Sequence, residues 1–308
     1  MKIAIFGTGG VGGYFGARLA QHGHDVTFIA RGAHLQAIRT QGLHVESPLG
    51  DAHIHPAQAT DTPAEVGPVD AVLVGVKAWQ VPEAAQAMRP LVGAHTLVLP
   101  LQNGVEAPSQ LAEVLGKEHV LGGMCKISSF IAAPGHIRHA GITPYIALGE
   151  LDNRRTPRVE ALHAALTGAG IQAEIPQDIL VAMWGKLTFI AAFSAVGAVT
   201  RLPAGAWRQV PQTRAMLIAA MNEIVRVGQA EGVAVGEKTV QSALSFTDSV
   251  PEGATASMQR DIMEGRPSEL EAQTGAVVRL GHKHAVPTPV NDFLYAALLP
   301  QEMQARAG

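Results

Sequence analysis

The sequence predicts an α/β protein in which a parallel sheet, with helices on both faces, is followed by an all-helical domain. Over the first 176 residues, short β-branched runs alternate with amphipathic stretches, a pattern typical of a parallel sheet flanked by helices. From about Gln177 onward this pattern gives way to long helical patterns bounded by prolines. We therefore predict two domains, residues 1–176 and residues 177–308, with the boundary at Pro176.

The elements of the first domain are assigned in chain order. The β-branched runs predict strands at Lys2–Phe6, Asp25–Ala30, Ala71–Val76, His95–Leu101 and His119–Met124. Amphipathic stretches predict helices at Val11–Gln21, Val81–Met88 and Ala107–Leu115. Two later segments, around Ile137 and at Tyr145–Leu148, are predicted to be strands that extend the edge of the sheet.

The second domain is expected to form around apolar helices. Its longest apolar stretch, Leu187–Val199, contains two hydroxyl residues and is too short to span a bilayer, so we predict a buried helix. Helices of this kind pack either within one subunit or across two. The sequence leaves both arrangements open, and we favour a homodimer.

Composition and charge limit the possible partners. The 308 residues are 47% hydrophobic and 16% charged, and the net charge of -3 gives no reason to expect nucleic acid or an anionic membrane as a partner. A small-molecule substrate is expected instead. The single cysteine, Cys125, excludes an internal disulfide, and the sequence has no Cys/His cluster with metal-ligand spacing. We therefore expect a cytoplasmic protein without a metal site.

A glycine-rich loop directly follows the first predicted strand. It has the pattern G-x-G-x-x-G and consists of Gly7, Thr8, Gly9, Gly10, Val11 and Gly12. The first glycine permits a tight turn, the second lets the backbone approach a pyrophosphate, and the third allows the following helix to pack on the strand. Because strand, loop, helix and second strand occur in this order, we predict a Rossmann-type dinucleotide-binding unit rather than a glycine-rich turn without a ligand.

The end of the second strand favours NADPH over NADH. A unit that binds NAD usually carries an acidic residue there, which holds the ribose 2′-hydroxyl. This chain has Arg31 instead, and an arginine can pair with the 2′-phosphate of NADPH. Lys77, after the Ala71–Val76 strand, can add a second positive charge. The alternative for each residue is an ordinary solvated cation.

Two residues outside the loop have candidate catalytic roles. Asn103 follows the His95–Leu101 strand, where it either hydrogen-bonds a carbonyl group of a ligand or forms an Asn-Gly turn. Lys186 is the only ionisable residue of an apolar helical run from Ile179 to Val199. Partial desolvation would lower the pKa of its ammonium group and make it a general acid near neutral pH. The alternative is a lysine whose charged end reaches solvent at the edge of the helix.

Several motifs, in order along nearly the whole chain, resemble those of the ketopantoate reductase family. They are GTGGVGGYFGARLA at Gly7, ARGAHL at Ala30, VKAWQ at Val76, LQNGVE at Leu101, WGKL at Trp184, SMQRDIMEGRPSELEAQTGAVV at Ser257 and TPVND at Thr288. The resemblance implies a Rossmann domain followed by a helical domain, and NADPH-dependent reduction of a 2-keto acid to a 2-hydroxy acid.

The resemblance also implies roles for individual residues. Lys186 matches the general acid, and Asn103 matches an asparagine that contacts cofactor and substrate. Glu269 and Ser257 match residues that bind the substrate. The positions that match the cofactor site outside the loop are Arg31, Lys77 and Gln80.

The chain departs from the family pattern in the predicted substrate site. The family commonly has asparagines four and eight residues after the lysine, where this chain has Ile190 and Ser194. It has another asparagine three residues before the serine, where this chain has Ala254. Ile190 and Ala254 are expected to make the pocket less polar.

Four functions remain compatible with these observations. The first is the reduction of ketopantoate in the pathway to pantothenate and coenzyme A. The second is reduction of a different, less polar 2-keto acid by a related enzyme. The third is an NADPH-binding sensor that has lost catalysis, and the fourth is a related dehydrogenase that oxidises a β-hydroxy acid.

Overall fold

The computed structural model describes residues 1–307, and its internal contacts divide the chain into two compact units. The first unit comprises Met1–Gln102 and Ala107–Ile179. The second comprises the short segment Asn103–Glu106 and the chain from Leu180 onward. The segment Asn103–Glu106 thus belongs with the second unit, although the first unit contains the chain on both sides of it.

The first unit contains the strands and five of the α-helices. The strands are β1 (Lys2–Phe6), β2 (Asp25–Ile29), β3 (Leu43–Glu46), β4 (Ala52–Ile54), β5 (Gln58–Thr60), β6 (Ala71–Val74), β7 (Leu97–Pro100), β8 (Leu121–Lys126), β9 (Ser129–Ala133), β10 (His136–His139), β11 (Tyr145–Glu150) and β12 (Gln172–Glu174). The helices are α1 (Gly10–Gln21), α2 (Gly32–Gln41), α3 (Val81–Ala87), α4 (Ala107–Leu115) and α5 (Pro157–Gly168).

The central sheet is parallel and doubly wound, as predicted. Its strand order is β5-β2-β1-β6-β7, so the order reverses between β1 and β6. Alternate residues of β1 serve two separate cores, because successive side chains of a strand point to opposite faces. Ile3 and Ile5 belong to the core that contains Phe15 of α1, whereas Ala4 and Phe6 belong to the core that contains α3 and α4. Helices therefore cover both faces of the sheet.

The predicted strands beyond the central sheet pair in two different ways. β11 pairs with β8, and Val120, just before β8, forms a bridge to Val98 of β7, so this part does extend the sheet edge. The prediction for the segment around Ile137 is wrong in its pairing. Strand β10 lies in a separate sheet of order β4-β3-β10-β9, which packs on α1. The sequence pattern indicated a strand there but did not identify its partner strands.

The regular secondary structure of the second unit is entirely helical among the residues described, as predicted. Its elements are α6 (Ile179–Thr200), α7 (Ala204–Trp207), α8 (Pro211–Ala230), α9 (Glu237–Ser249), α10 (Ser257–Met263), a π-helix (Glu271–Gly275), α11 (Ala276–Lys283) and α12 (Pro289–Ala307). Helix α6 packs closely on α8, since a Cβ atom at Gly228 would lie 2.8 Å from the indole ring of Trp184. Glycine at this position lets the two helices approach.

Helix α6 is longer than the predicted apolar stretch. It has 22 residues and a mean hydropathy of 1.8, so its length alone is sufficient to cross a bilayer, and the length argument from Leu187–Val199 is wrong. Within the part of the chain that the structure describes it is the one helix with this property, and 61% of its most apolar stretch is buried inside the protein. Burial of this extent is typical of the core helix of a soluble protein.

A buried carboxylate anchors the start of α12. Glu223 of α8 is 3% exposed and accepts hydrogen bonds from the backbone N–H groups of Val290 (3.0 Å) and Asn291 (2.9 Å). It also accepts one from the side-chain amide of Asn291 at 2.7 Å. The first N–H groups of a helix have no partners within the helix, so Glu223 satisfies them and balances the positive end of the helix dipole.

We predict that Glu223→Ala destabilises the second unit by about 3 kcal/mol, because it leaves buried donors without an acceptor. Urea unfolding followed by tryptophan fluorescence measures this, since Trp184 and Trp207 both lie in the second unit. Glu237→Ala, at an exposed glutamate in the first turn of α9, is the matched control and should lower the unfolding midpoint far less. Equal midpoints for the two variants would contradict the role of Glu223.

Candidate functional site

Close backbone contacts fix the shape of the glycine-rich loop. Gly7 has a φ of +96°, and a Cβ atom there would lie 2.7 Å from the backbone nitrogen of Val76. A Cβ atom at Gly12 would lie 2.2 Å from the Gly7 carbonyl oxygen, and one at Gly75 would lie 2.8 Å from the same oxygen. Any side chain at these positions would force the loop away from the ends of β1 and β6.

The N-terminus of α1 is suited to an anion. Its N-cap residue is Gly9, no side chain caps the first turn, and the first turn has no acidic residue. The space where a Cβ of Gly9 would stand is open to 4 Å. The first N–H groups of α1 and its helix dipole therefore favour negative charge, and the loop fits the pyrophosphate of a dinucleotide. Within the loop, the Thr8 side chain is buried, and Gly10 and Val11 are the first two residues of α1.

The cationic residues predicted for the cofactor lie at strand ends of the first unit. Arg31 directly precedes α2, and its guanidinium is exposed and lies 3.4 Å from a carboxylate oxygen of Glu83 on α3. Lys77 is exposed, with its ammonium 5.7 Å from the ring centre of Trp79. The side-chain oxygen of Gln80 accepts a hydrogen bond of 3.2 Å from the Lys77 N–H and so supports the local turn. No sequence pattern indicated that Glu83 pairs with Arg31.

In the second unit, Asn103 and Glu269 are in direct contact. The side-chain amide of Asn103 donates a hydrogen bond of 2.7 Å to the carboxylate of Glu269, which is 7% exposed. Gly104 adopts a φ of +101°, and a Cβ there would lie 2.6 Å from the Ala272 carbonyl oxygen. Asn103 and Gly104 therefore form a turn that packs closely against the residues after Glu269.

An ion-pair network holds the same short segment in place. Arg279 of α11 contacts Glu106 at 2.8 Å and Glu271 at 2.7 Å. The Tyr295 hydroxyl donates a hydrogen bond of 2.6 Å to the other oxygen of Glu271. Burial and the hydrogen bond to Glu271 raise the pKa of Tyr295 to about 12, so its hydroxyl stays protonated as the donor.

Glu269 is also fixed from its other side. The preceding residue, Ser268, is fully buried and donates from its backbone N–H and its hydroxyl to Glu302 of α12. Arg306 pairs with Glu302 at 2.6 Å and donates to the Ser268 carbonyl oxygen at 3.0 Å. Sequence reasoning missed Glu302, because 34 residues separate it from Ser268 and no local pattern links them.

Lys186, Ile190 and Ser194 lie along one side of α6, because a spacing of four residues returns to nearly the same side of a helix. Lys186 and Ile190 are half-buried, whereas Ser194 is fully buried. The Ser194 hydroxyl makes no hydrogen bond within residues 1–307. Helix α10 packs near this end of α6, since a Cβ at Gly197 would lie 2.4 Å from the side-chain oxygen of Gln259.

Ser257 and Ala254 flank the beginning of α10. Ser257 is the first residue of this helix and is half-buried. Ala254 lies in the preceding turn, where its carbonyl oxygen accepts a hydrogen bond of 3.0 Å from the Ala204 N–H. The structure thus places all the predicted catalytic and substrate residues in the second unit, and the predicted cofactor residues other than Asn103 in the first. No cluster of three or more metal-ligating side chains occurs among residues 1–307.

Comparison with protein families shows what the chain is similar to. The family described as "Ketopantoate reductase PanE/ApbA" matches residues 3–153, and its C-terminal counterpart matches residues 178–302. A 2-dehydropantoate 2-reductase of Mesorhizobium japonicum is 33% identical, with 96% of each chain covered.

Solved structures show the same similarity. A ketopantoate reductase of this family from Ralstonia eutropha is 32% identical, with a TM-score of 0.90, 99% of this chain covered and 100% of that one. A D-mandelate dehydrogenase solved with NADH and anilino(oxo)acetate shares the fold at 23% identity, with a TM-score of 0.89, 99% of this chain covered and 100% of that one. The chain belongs to the ketopantoate reductase family of oxidoreductases.

Proposed function

We propose that this protein reduces a 2-keto acid to the corresponding 2-hydroxy acid with NADPH as the reductant. The observation that supports this most strongly is the uncapped N-terminus of α1 behind the glycine-rich loop, together with Arg31 at the end of β2. In this proposal residues 1–176 bind the nucleotide, and residues 177–308 bind and protonate the substrate. The first substrate to test is 2-dehydropantoate, whose reduction would place the enzyme in the cytoplasmic synthesis of pantothenate.

The proposed chemistry needs a hydride and a proton. NADPH held at the glycine-rich loop would supply the hydride for the keto carbon, and the Lys186 ammonium would donate the proton to the carbonyl oxygen. Lys186 is the one ionisable residue of the apolar helix α6 and is half-buried there, which supports this assignment of the proton donor. Together the two transfers convert the ketone into an alcohol.

The remaining residues orient the substrate. Glu269 is held by Asn103, so its carboxylate has a fixed direction and can accept a hydrogen bond from a substrate hydroxyl. The Ser257 hydroxyl is suited to donate to the substrate carboxylate. Asn103 keeps its own side-chain oxygen for the amide of the nicotinamide or for the substrate.

One observation favours a substrate less polar than 2-dehydropantoate. Ile190 is half-buried one turn after Lys186, and Ala254 precedes α10, so neither position offers a hydrogen-bond donor from its side chain. The buried Ser194 hydroxyl is the one polar group at the three positions. A pocket lined in this way discriminates weakly between a hydroxylated 2-keto acid and its purely aliphatic analogue.

We expect NADPH to be oxidised with 2-dehydropantoate or with one of its aliphatic analogues, such as 2-oxo-3-methylbutanoate. The decrease of NADPH absorbance over a panel of branched 2-keto acids measures this. Tight NADPH binding without turnover on any acid of the panel would contradict the proposal and identify a nucleotide sensor. Faster reaction in the direction of hydroxy-acid oxidation would favour a dehydrogenase instead.

Lys186→Ala should lower kcat about 100-fold or more, with a smaller effect on NADPH binding, because general acid catalysis typically contributes that much. Steady-state kinetics on the best acid of the panel gives kcat, and calorimetry gives the nucleotide affinity. Lys238→Ala, at an exposed lysine of α9 in the same unit, is the matched control. A Lys186→Ala enzyme with a kcat within a few-fold of the wild-type value would remove Lys186 from the chemistry.

Arg31→Ala should weaken NADPH binding about tenfold or more and leave NADH binding nearly unchanged, because only NADPH carries the 2′-phosphate. Glu83→Gln should strengthen NADPH binding, since it removes an anion next to the same guanidinium. An exposed ion pair contributes little to the free energy of folding, so breaking the Arg31–Glu83 pair should hardly affect the position of the Arg31 side chain. Arg39→Ala, at an exposed arginine of the helix α2 that Arg31 precedes, is the control. Equal losses for NADPH and NADH in Arg31→Ala would contradict the assignment.

A further inference from the structure

His34 connects the glycine-rich loop to the second sheet of the first unit. It is half-buried near the start of α2, and its Nε2 lies 2.8 Å from the carbonyl oxygen of Thr8 in the loop. Its Nδ1 accepts a hydrogen bond of 3.0 Å from the backbone N–H of Gly135, in the turn between β9 and β10. One imidazole ring therefore bridges two backbone groups that are 127 residues apart in sequence (135 − 8).

The two partners determine the protonation state of the ring. The Gly135 N–H can only donate, so Nδ1 must present a lone pair to it. The Thr8 carbonyl can only accept, so Nε2 must carry the hydrogen. Neutral imidazole with its hydrogen on Nε2 is the form that makes both bonds, and a second proton on Nδ1 would face the Gly135 N–H and abolish that bond.

The bridge adds one more contact to the loop on the side of α2 and the second sheet. The Thr8 N–H (3.1 Å) and hydroxyl (3.0 Å) both bond to the Ile29 carbonyl at the end of β2, which leaves the Thr8 carbonyl for His34. The neighbouring Gly10 packs directly on β9, where a Cβ atom would lie 2.4 Å from the Ser129 carbonyl oxygen. The β9–β10 hairpin thus supports the loop at two points, once by packing and once through His34.

We propose that His34 is a positioning residue that holds the glycine-rich loop for the nucleotide only in its neutral form, so that nucleotide affinity falls as His34 becomes protonated. This inference rests on the proposed nucleotide binding. It assigns His34 no contact with substrate or with the reacting atoms. The loop backbone would relax when the Gly135 bond is lost, and the N–H groups at the start of α1 would no longer be aligned for the pyrophosphate.

The surroundings of His34 determine the pH range of this effect. Burial lowers the pKa of His34 below 6.5, although the hydrogen bond to Thr8 acts in the opposite direction. Because the pKa is depressed, the bridge is complete above about pH 6.5 and is lost as the pH falls through the lowered pKa. The other charged or titratable side chains of α2 and the hairpin have their own partners: Arg31 with Glu83, Arg39 with the Ala59 carbonyl, His136 and Arg138 with Glu46, and His139 with Ser47.

The test measures the Kd of NADP⁺ by calorimetry between pH 5 and pH 8 for the wild type and for His34→Gln. A glutamine amide carries an acceptor and a donor that can replace both ring nitrogens without titrating. We expect similar affinities at pH 8 and, as the pH falls towards 5, a greater loss of affinity for the wild type than for His34→Gln. Titration of the 2′-phosphate affects both proteins equally, so it cancels in the ratio of their Kd values.

Two further variants complete the comparison. His34→Ala should bind NADP⁺ about tenfold more weakly at pH 8 and show no additional loss in acid beyond that of His34→Gln. His163→Ala is the control, since His163 is a half-buried histidine of α5 that contacts the Ala173 carbonyl at 3.0 Å, and it should reproduce the wild-type curve. Parallel pH curves for wild type and His34→Gln would overturn the inference, whereas a wild type that binds no NADP⁺ at pH 8 would instead refute the proposed function.

A measurement on the wild-type protein alone keeps the inference testable if the variants fold poorly. If the nucleotide binds preferentially to the neutral form, linkage requires that NADP⁺ lower the pKa of His34 further. NMR titration of the His34 ring with and without NADP⁺ measures this shift. An unchanged or raised pKa would overturn the inference.

Discussion

The first unit depends on a contact in which backbone meets backbone without side chains between them. Gly7, Gly12 and Gly75 bring the end of β1, the first turn of α1 and the end of β6 within van der Waals distance, and a Cβ atom at any of them would collide. This contact lies where the strand order of the sheet reverses. It places the positive end of α1 at the position where open α/β sheets bind ligands. The hairpin and His34 then hold the same loop from outside.

The second unit supplies polar groups from segments that are distant in sequence. Asn103 reaches Glu269, Arg279 reaches Glu106, and Ser268 is fixed by Glu302. The bond from Asn103 gives the carboxylate of Glu269 a fixed direction, which reduces the ordering that a ligand would have to impose. Lys186 lies on the apolar helix α6. In the proposed chemistry Asn103 and Glu269 orient the substrate, and Lys186 transfers the proton.

Much of this architecture could be predicted from local patterns. The runs that form β1, β2, β6 and β7 are mostly apolar, and α1, α3 and α4 follow from their amphipathic periods. The strands β3, β4 and β5 were not predicted, because they are short and carry polar residues such as His44 and His53 on an exposed face.

The pairing of residues that are distant in sequence is equally difficult to predict from local patterns. The wrong sheet for the Ile137 segment and the unforeseen partners Glu83 and Glu302 all reflect contacts that local periodicity does not encode.

The central claim is that hydride passes from NADPH to the keto carbon of a 2-keto acid on this protein. Its most direct test uses NADPH deuterated at C4 of the nicotinamide on the transferred face, with product analysis by mass spectrometry and NMR. The proposal predicts a 2-hydroxy acid with one deuterium, bound to C2. A product without deuterium at C2, or no hydroxy acid from any acid of the panel, would contradict it.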